Sequence, residues 1–149
     1  ALFPVYTGAA VLSMGLSGLA IDRFGTSRLM PVYQIPLILG FIAFSLTSTV
    51  FGAGIAIIGL GITNGINATL SSAFWAEFYG TRHLGAIKAM AAAVMVLGSA
   101  IGPGLTGLII DLGIDYNQQM LGVAAYLALG AILTTIAVRQ ASPSVTVSA

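Results

Sequence analysis

The sequence predicts an all-α membrane protein with five transmembrane helices. Three observations carry that prediction. Hydrophobic residues make up 58% of the 149-residue chain and charged residues only 6%. Mean hydropathy is +1.03. The few charges gather in short runs between long apolar stretches. A soluble chain of this length coats itself with roughly a quarter charged residues. This one cannot, so lipid must be its solvent.

A helix that crosses a bilayer needs roughly 20 mostly apolar residues. Span A runs from about Phe3 to Ile21 and is followed at once by Asp22-Arg23. It lacks the basic flank of a cleavable leader, so a membrane span is the better reading. The chain opens inside this apolar run without Met, and a fragment of a longer protein is expected. Span B runs from about Leu29 to Leu46, and span C from about Phe51 to Trp75. The uncharged Thr47-Ser48-Thr49 between them is the weakest boundary. Fused, B and C would make about 47 residues, far beyond one crossing. Span D runs from about Leu84 to Ile110, and span E from about Met120 to Val138. Residues 1–140 thus form one helical bundle. The small, polar, Pro-containing segment 141–149 is expected to be a disordered cytoplasmic tail.

The basic residues set the orientation. Arg23 and Arg28 lie between A and B, Arg82 and Lys88 at the C–D connection, and Arg139 after E. The B–C and D–E connections hold no Lys or Arg, and the second carries Asp111 and Asp115. All five basic residues therefore fall on one side, which the positive-inside rule makes cytoplasmic. Span A then enters from outside and the C-terminus is inside. Phe74, Trp75, Phe78 and Tyr79 cluster at the inner end of C, Tyr33 stands near the inner end of B, and Tyr116 near the outer end of E. All suit the membrane interface.

Composition also excludes function classes. A net charge of +1 and the lack of any basic run argue against a nucleic-acid partner. With no cysteine, disulfides and thiolate metal sites are ruled out. No zinc-protease motif, nucleophile elbow or phosphate loop is present, and Arg82-His83 reads as an interface or cap pair. No ionisable residue lies near the middle of a span, as an intramembrane enzyme or proton relay would require. No enzyme activity, metal or cofactor is expected.

The loop Gly18-x-x-x-Asp22-Arg23-x-Gly25-x-x-Arg28 is the densest cluster of charge. Gly18 lets another backbone approach where span A ends. Gly25 can take a positive φ in a tight turn. Thr26 or Ser27 can cap the helix that follows. Arg23 suits the negative C-terminal end of A, whereas Asp22 is at the wrong end of that dipole and needs a partner. Arg23 can pair with Glu77, because the inner ends of A and C share a side. In span D, Gly98, Gly102 and Thr106 recur every four residues, a face for close helix packing. Pro103 removes a helical hydrogen bond, so Gly102-Pro103 marks a bend. Lys88, about one turn inside D, is expected to snorkel to the interface. On span C, Asn64, Asn67 and Ser71 share one broad face. On span A, Tyr6, Ser13 and Ser17 do the same. Asparagine near mid-bilayer is costly unless it faces protein or water. Interhelical hydrogen bonding and a solute cavity would each satisfy it, and Ser13, Asn64, Asn67 and Ser99 are the cavity candidates.

The loop pattern resembles the signature loop of the major facilitator superfamily, which joins helices 2 and 3 and, more weakly, helices 8 and 9. Glu77 to Lys88 is similar to the connection between helices 10 and 11. Gly98-x-x-x-Gly102-Pro103-Gly104-x-x-Gly107-x-x-x-Asp111-x-Gly113 is similar to helix 11. The likeness covers nearly the whole chain as helices 8 to 12, although Thr26 and Ser27 stand at positions that are often basic in the family. It implies a partial major-facilitator fold without helix 7 and the N-terminal half. It also implies a secondary transporter that moves a small solute by alternating access. In that fold helices 8, 10 and 11 line the central cavity, which makes spans A, C and D the cavity helices, with solute bound near the midplane. Gly18, Asp22, Arg23, Gly25, Arg28 and Glu77 would form a conformational switch loop, with Asp22 meeting a helix N-terminus in the other half. The implied partners are a small-molecule solute, a coupling proton or ion, the lipid bilayer and the missing half of the chain. Any titrating carboxylate for proton coupling would lie in that missing part. The implied place is a bacterial inner (plasma) membrane. The C–D connection and the Gly-Pro helix most resemble members that carry small organic anions. Drug or metabolite efflux, and a non-transporting structural subunit, stay open as alternatives.

Overall fold

The computed structural model describes the backbone of residues 2–47 and 49–145, and the side chains of these up to residue 140. Among the described residues all regular structure is helical: α1 (Leu2–Phe24), α2 (Thr26–Leu29), α3 (Ile35–Thr47), α4 (Val50–Tyr79), α5 (Leu84–Asp111) and α6 (Tyr116–Val145). Four helices are long and apolar enough to cross a membrane: α1, α4, α5 and the part of α6 up to Gln140. Leu, Ile and Val stand exposed along all four, as in Leu12, Leu60, Leu97 and Ile132. That outer surface suits hydrocarbon, where only a backbone bonded within its own segment is tolerated. The chain is an all-α, multi-pass membrane protein.

Spans A, C, D and E correspond to α1, α4, α5 and α6. Span B differs. Its helix α3 has 13 residues, about 20 Å at 1.5 Å per residue, short of a hydrocarbon core of about 30 Å. Two prolines account for this. Pro31 has no N–H to give and Pro36 occupies the second position of α3, where a missing donor is harmless. Between them the chain stays wound in mixed turns, with Val32 N bonded to Leu29 O at 3.1 Å and Tyr33 N to the same oxygen at 3.0 Å. Span B is therefore a broken helix over residues 26–47, and the expected count of five full-length membrane helices falls to four. The uncharged B–C boundary, by contrast, is sharp: α3 stops at Thr47, and the Thr49 hydroxyl accepts from Gly52 N at 3.3 Å to cap α4. At the other end α6 continues to Val145, past the expected bundle limit at residue 140. Residues 146–149 of the expected tail lie outside the described residues.

Helix α4 is the hub. It packs against α1 on one side and α3 on the other, and α3 in turn carries α6. The close contacts are made at glycines. A Cβ on Gly61 would stand 2.7 Å from the Tyr6 carbonyl oxygen, and one on Gly65 would strike the Ala10 carbonyl. On the other side Gly59 faces the Pro36 carbonyl, and a Cβ on Gly40 would stand 2.9 Å from Ala56 Cα. Small residues at these points let backbones approach, which is where helix association in lipid gains its dispersion energy. Leu70 fills the centre and is fully buried. Phe44 and Tyr116 meet edge to face at 6.0 Å where α3 ends and α6 begins.

Helix α5 buries no residue. The close packing expected along Gly98 and Gly102 is not found among the described residues, nor is it found at Gly18: a Cβ on any of the three would meet nothing within 4 Å. Spacing creates a small-residue face, but a neighbour of matching direction must lie on it. That neighbour is present at Gly61 and Gly65 instead. Pro103 lies inside α5, and the helix runs continuously past it.

Candidate functional site

One end of the bundle collects the basic loops. Thr26, at the start of α2, is 2% exposed, and its hydroxyl donates to a carboxylate oxygen of Glu77 near the end of α4. Arg28 shares a cavity with Arg139 of α6. Lys88 of α5 shares another with Met30 and Tyr33. The loop after α1, the end of α4, the start of α5 and the end of α6 thus meet on one face.

Details of the loop differ from the expected ones. Gly25 has φ 78°, and its N–H bonds Ile21 O at 2.8 Å to close α1; only glycine holds that backbone without strain. Neither Thr26 nor Ser27 caps α2, whose N-cap is Gly25 without a side-chain bond. The Thr26 hydroxyl is committed to Glu77, the residue expected to pair with Arg23. Arg23 instead lies 5.6 Å over the Phe24 ring. A hydroxyl at the turn reaches Glu77 where a long guanidinium one residue from the end of α1 projects outward. Asp22 is exposed. Thr26→Val should lower the unfolding free energy by about 1 kcal/mol, with recovery in Thr26→Ser, since a buried hydroxyl bonded to a charged group is lost. An unchanged thermal midpoint would show that this contact holds nothing.

The four cavity candidates go to different places. Ser13 is buried between α1 and α4 and donates to Ala9 O at 2.6 Å. Its neighbour Ser17 bonds Thr69 across the same contact. The polar face of α1 therefore serves largely as helix packing. Asn64 donates to the Tyr6 hydroxyl at 3.1 Å, tying α4 to the start of α1. Ser99 is exposed on α5 and bonds back to Val96 O at 2.8 Å. Ser13 also borders a mainly apolar cavity of about 300 Å³ with Ser17 and Leu29, and Asn67 lines a more polar one, where its Oδ1 accepts from Ser71.

That cavity, of about 480 Å³, lies between α4, α5 and the broken helix. Asn67, Ser71 and Ser72 form its polar wall, Trp75 and Tyr33 its aromatic wall, and Lys88 its cation. Among the described residues no carboxylate lines it. The side chains are placed by helical register: Asn67, Ser71 and Trp75 recur every four residues on α4, and Lys88, Ala92 and Met95 follow one stripe of α5. Ala91 and Ala92 leave the room. Lys88 stands one turn into α5, whose first turn has no acidic residue, so the positive end of the helix dipole and the ammonium act together. This cavity was not legible as a site, because Lys88 read as a snorkelling residue. The recurrence of Asn67, Ser71 and Trp75 was the available signal. Among the described residues no three of His, Cys, Asp or Glu come together as a metal-binding group. Comparison of the chain with protein-family models, with curated proteins and with solved structures returns no match.

Proposed function

We propose that this chain is the C-terminal part of a secondary transporter of the major-facilitator type, moving a small organic anion by alternating access. The observation that carries the reading is the cavity between α4 and α5, with one cation, hydrogen-bonding groups and an aromatic wall. An anionic head would be drawn by Lys88 and oriented by the Asn67 amide N–H, which Ser71 steadies by donating to Asn67 Oδ1, and its apolar part would be covered by Trp75. The signature-like loop stands at the same end of the bundle, as a switch that senses which side is open should. The basic residues at that end favour a cytoplasmic side for the loop and the C-terminus under the positive-inside rule, and the reading sets the protein in a bacterial inner membrane. Coupling to a proton or another ion falls to residues outside these spans.

A second reading has one observation of its own. An apolar cavity of about 540 Å³ beside Tyr6, lined also by Phe3, Ile57 and Leu60, would suit efflux of an apolar compound.

The switch role is tested at Asp22. In the full-length protein, Asp22→Asn should lower uptake into proteoliposomes about threefold, the loss of one carboxylate facing a helix N-terminus. Membrane insertion should stay intact. Uptake at the wild-type rate would remove Asp22 from the switch and the loop from the argument.

A further inference from the structure

Two of the five basic residues line a cavity that shares no residue with the one holding Lys88. Arg28 comes from α2 and Arg139 from the far end of α6, and together they border about 400 Å³. Ser27 and Thr135 add hydroxyls, Pro31 and Val32 an apolar wall, and among the described residues no carboxylate lines the space. The Thr135 hydroxyl already donates to Ala131 O at 2.7 Å. The donors left for a ligand are therefore Ser27 and the two guanidinium groups, each with up to five N–H bonds in a planar fork. That fork matches the paired oxygens of a phosphate.

The surroundings select the form of the phosphate. The cavity opens where two apolar elements reach the charged end of the bundle. Along α6, one to two turns before Arg139, Ile132, Leu133 and Ile136 are 58%, 58% and 48% exposed. A free anion would engage the arginines alone, whereas the strip beside them is a surface for hydrocarbon. A phosphate attached to acyl chains would use both.

We propose that Arg28 and Arg139 hold the headgroup of an anionic phospholipid, whose chains run down the exposed face of α6. The lipid bridges the broken helix to α6 at the level where Pro31 interrupts the backbone ladder. Basic pockets between membrane helices on the cytoplasmic side are suited to such headgroups. The proposal is independent of what the protein transports.

The test uses the full-length protein in neutral detergent, titrated with phosphatidylglycerol, phosphatidylcholine or inorganic phosphate and read by native mass spectrometry. Phosphatidylglycerol should be retained in preference to phosphatidylcholine. Its dissociation constant should rise about fivefold in Arg28→Gln or Arg139→Gln and about thirtyfold in the double variant. Arg82→Gln, in the α4–α5 connection, should leave it unchanged. Wild-type retention by the double variant would overturn the site. An equal loss in Arg82→Gln would show general attraction to a basic surface, and full displacement of the lipid by equimolar inorganic phosphate would show a free-anion site. Either result overturns the proposal. Should the double Gln variant not yield folded protein, Arg28→Lys with Arg139→Lys decides. It keeps both charges and loses both forks, so weakened retention supports the site and unweakened retention overturns it.

Discussion

Replacing Lys88 with Gln is expected to raise the concentration of an organic anion needed for half-maximal uptake about ten- to a hundredfold. Lys88 is the cation of the polar cavity, and among the described residues no carboxylate lines that space to neutralise it. A hydrogen bond to a charged group contributes about 1.5–3 kcal/mol, and each 1.4 kcal/mol is about tenfold in affinity. The helix dipole adds in the same direction, because Lys88 stands near the start of α5. Lys88→Arg should preserve most of the affinity. A neutral analogue of the solute should lose little in either variant. The measurement is a concentration series of uptake by the full-length protein in proteoliposomes. A half-saturation value that does not move in Lys88→Gln would mean that the cavity binds no anion, and the apolar cavity beside Tyr6 would then be the better candidate.

Gly65→Leu is expected to destabilise the bundle by about 3 kcal/mol or more. Even the first carbon of a side chain there would strike the Ala10 carbonyl, with the Ser13 side chain close behind. Both belong to α1 and are backbone or short, so neither can swing aside. Overpacking in a close contact typically costs about 1–3 kcal/mol, and more when backbone must move. The control lies on the same helix: at Gly54 a Cβ meets nothing within 4 Å. Gly54→Leu should be neutral or slightly stabilising, because Leu is the better helix former by somewhat under 1 kcal/mol. Thermal unfolding of the two purified variants separates these cases. Equal midpoints would show that α1 and α4 do not depend on their glycine contact.

Much of the architecture was legible because a membrane helix announces itself by length and hydropathy, both local properties. α1, α4 and α5 begin and end close to where the apolar runs do, whereas α6 extends beyond its run at both ends. The broken span was not legible by hydropathy, since the run from Leu29 to Leu46 stays apolar through Pro31 and Pro36 while its backbone bonds do not. Packing was harder still. Gly61 and Gly65 carry the same four-residue spacing as Gly98 and Gly102. Only the fold decides which pair receives a neighbour. The Thr26–Glu77 contact joins residues 51 apart in sequence, and no local pattern foretells it. In the candidate site, Asn67 was found by its cost in lipid, whereas Lys88 was set aside because a lysine near a helix end has a plainer explanation. Its worth depends on what α4 and the broken helix set opposite it.

The two helical walls of the polar cavity are held very differently. α4 is locked to α1 and α3 by backbone contacts at Gly59, Gly61 and Gly65, whereas α5 buries nothing. Within these spans the packing is therefore lopsided. A shift of α5 as a rigid rod would change the width of the cavity while leaving every glycine contact of α4 untouched. Lys88 travels with the loose wall, and Asn67, Ser71 and Trp75 stay with the fixed one. An anion bridging them would act as a strut between a frame and a lever, with its own size setting how far the lever closes.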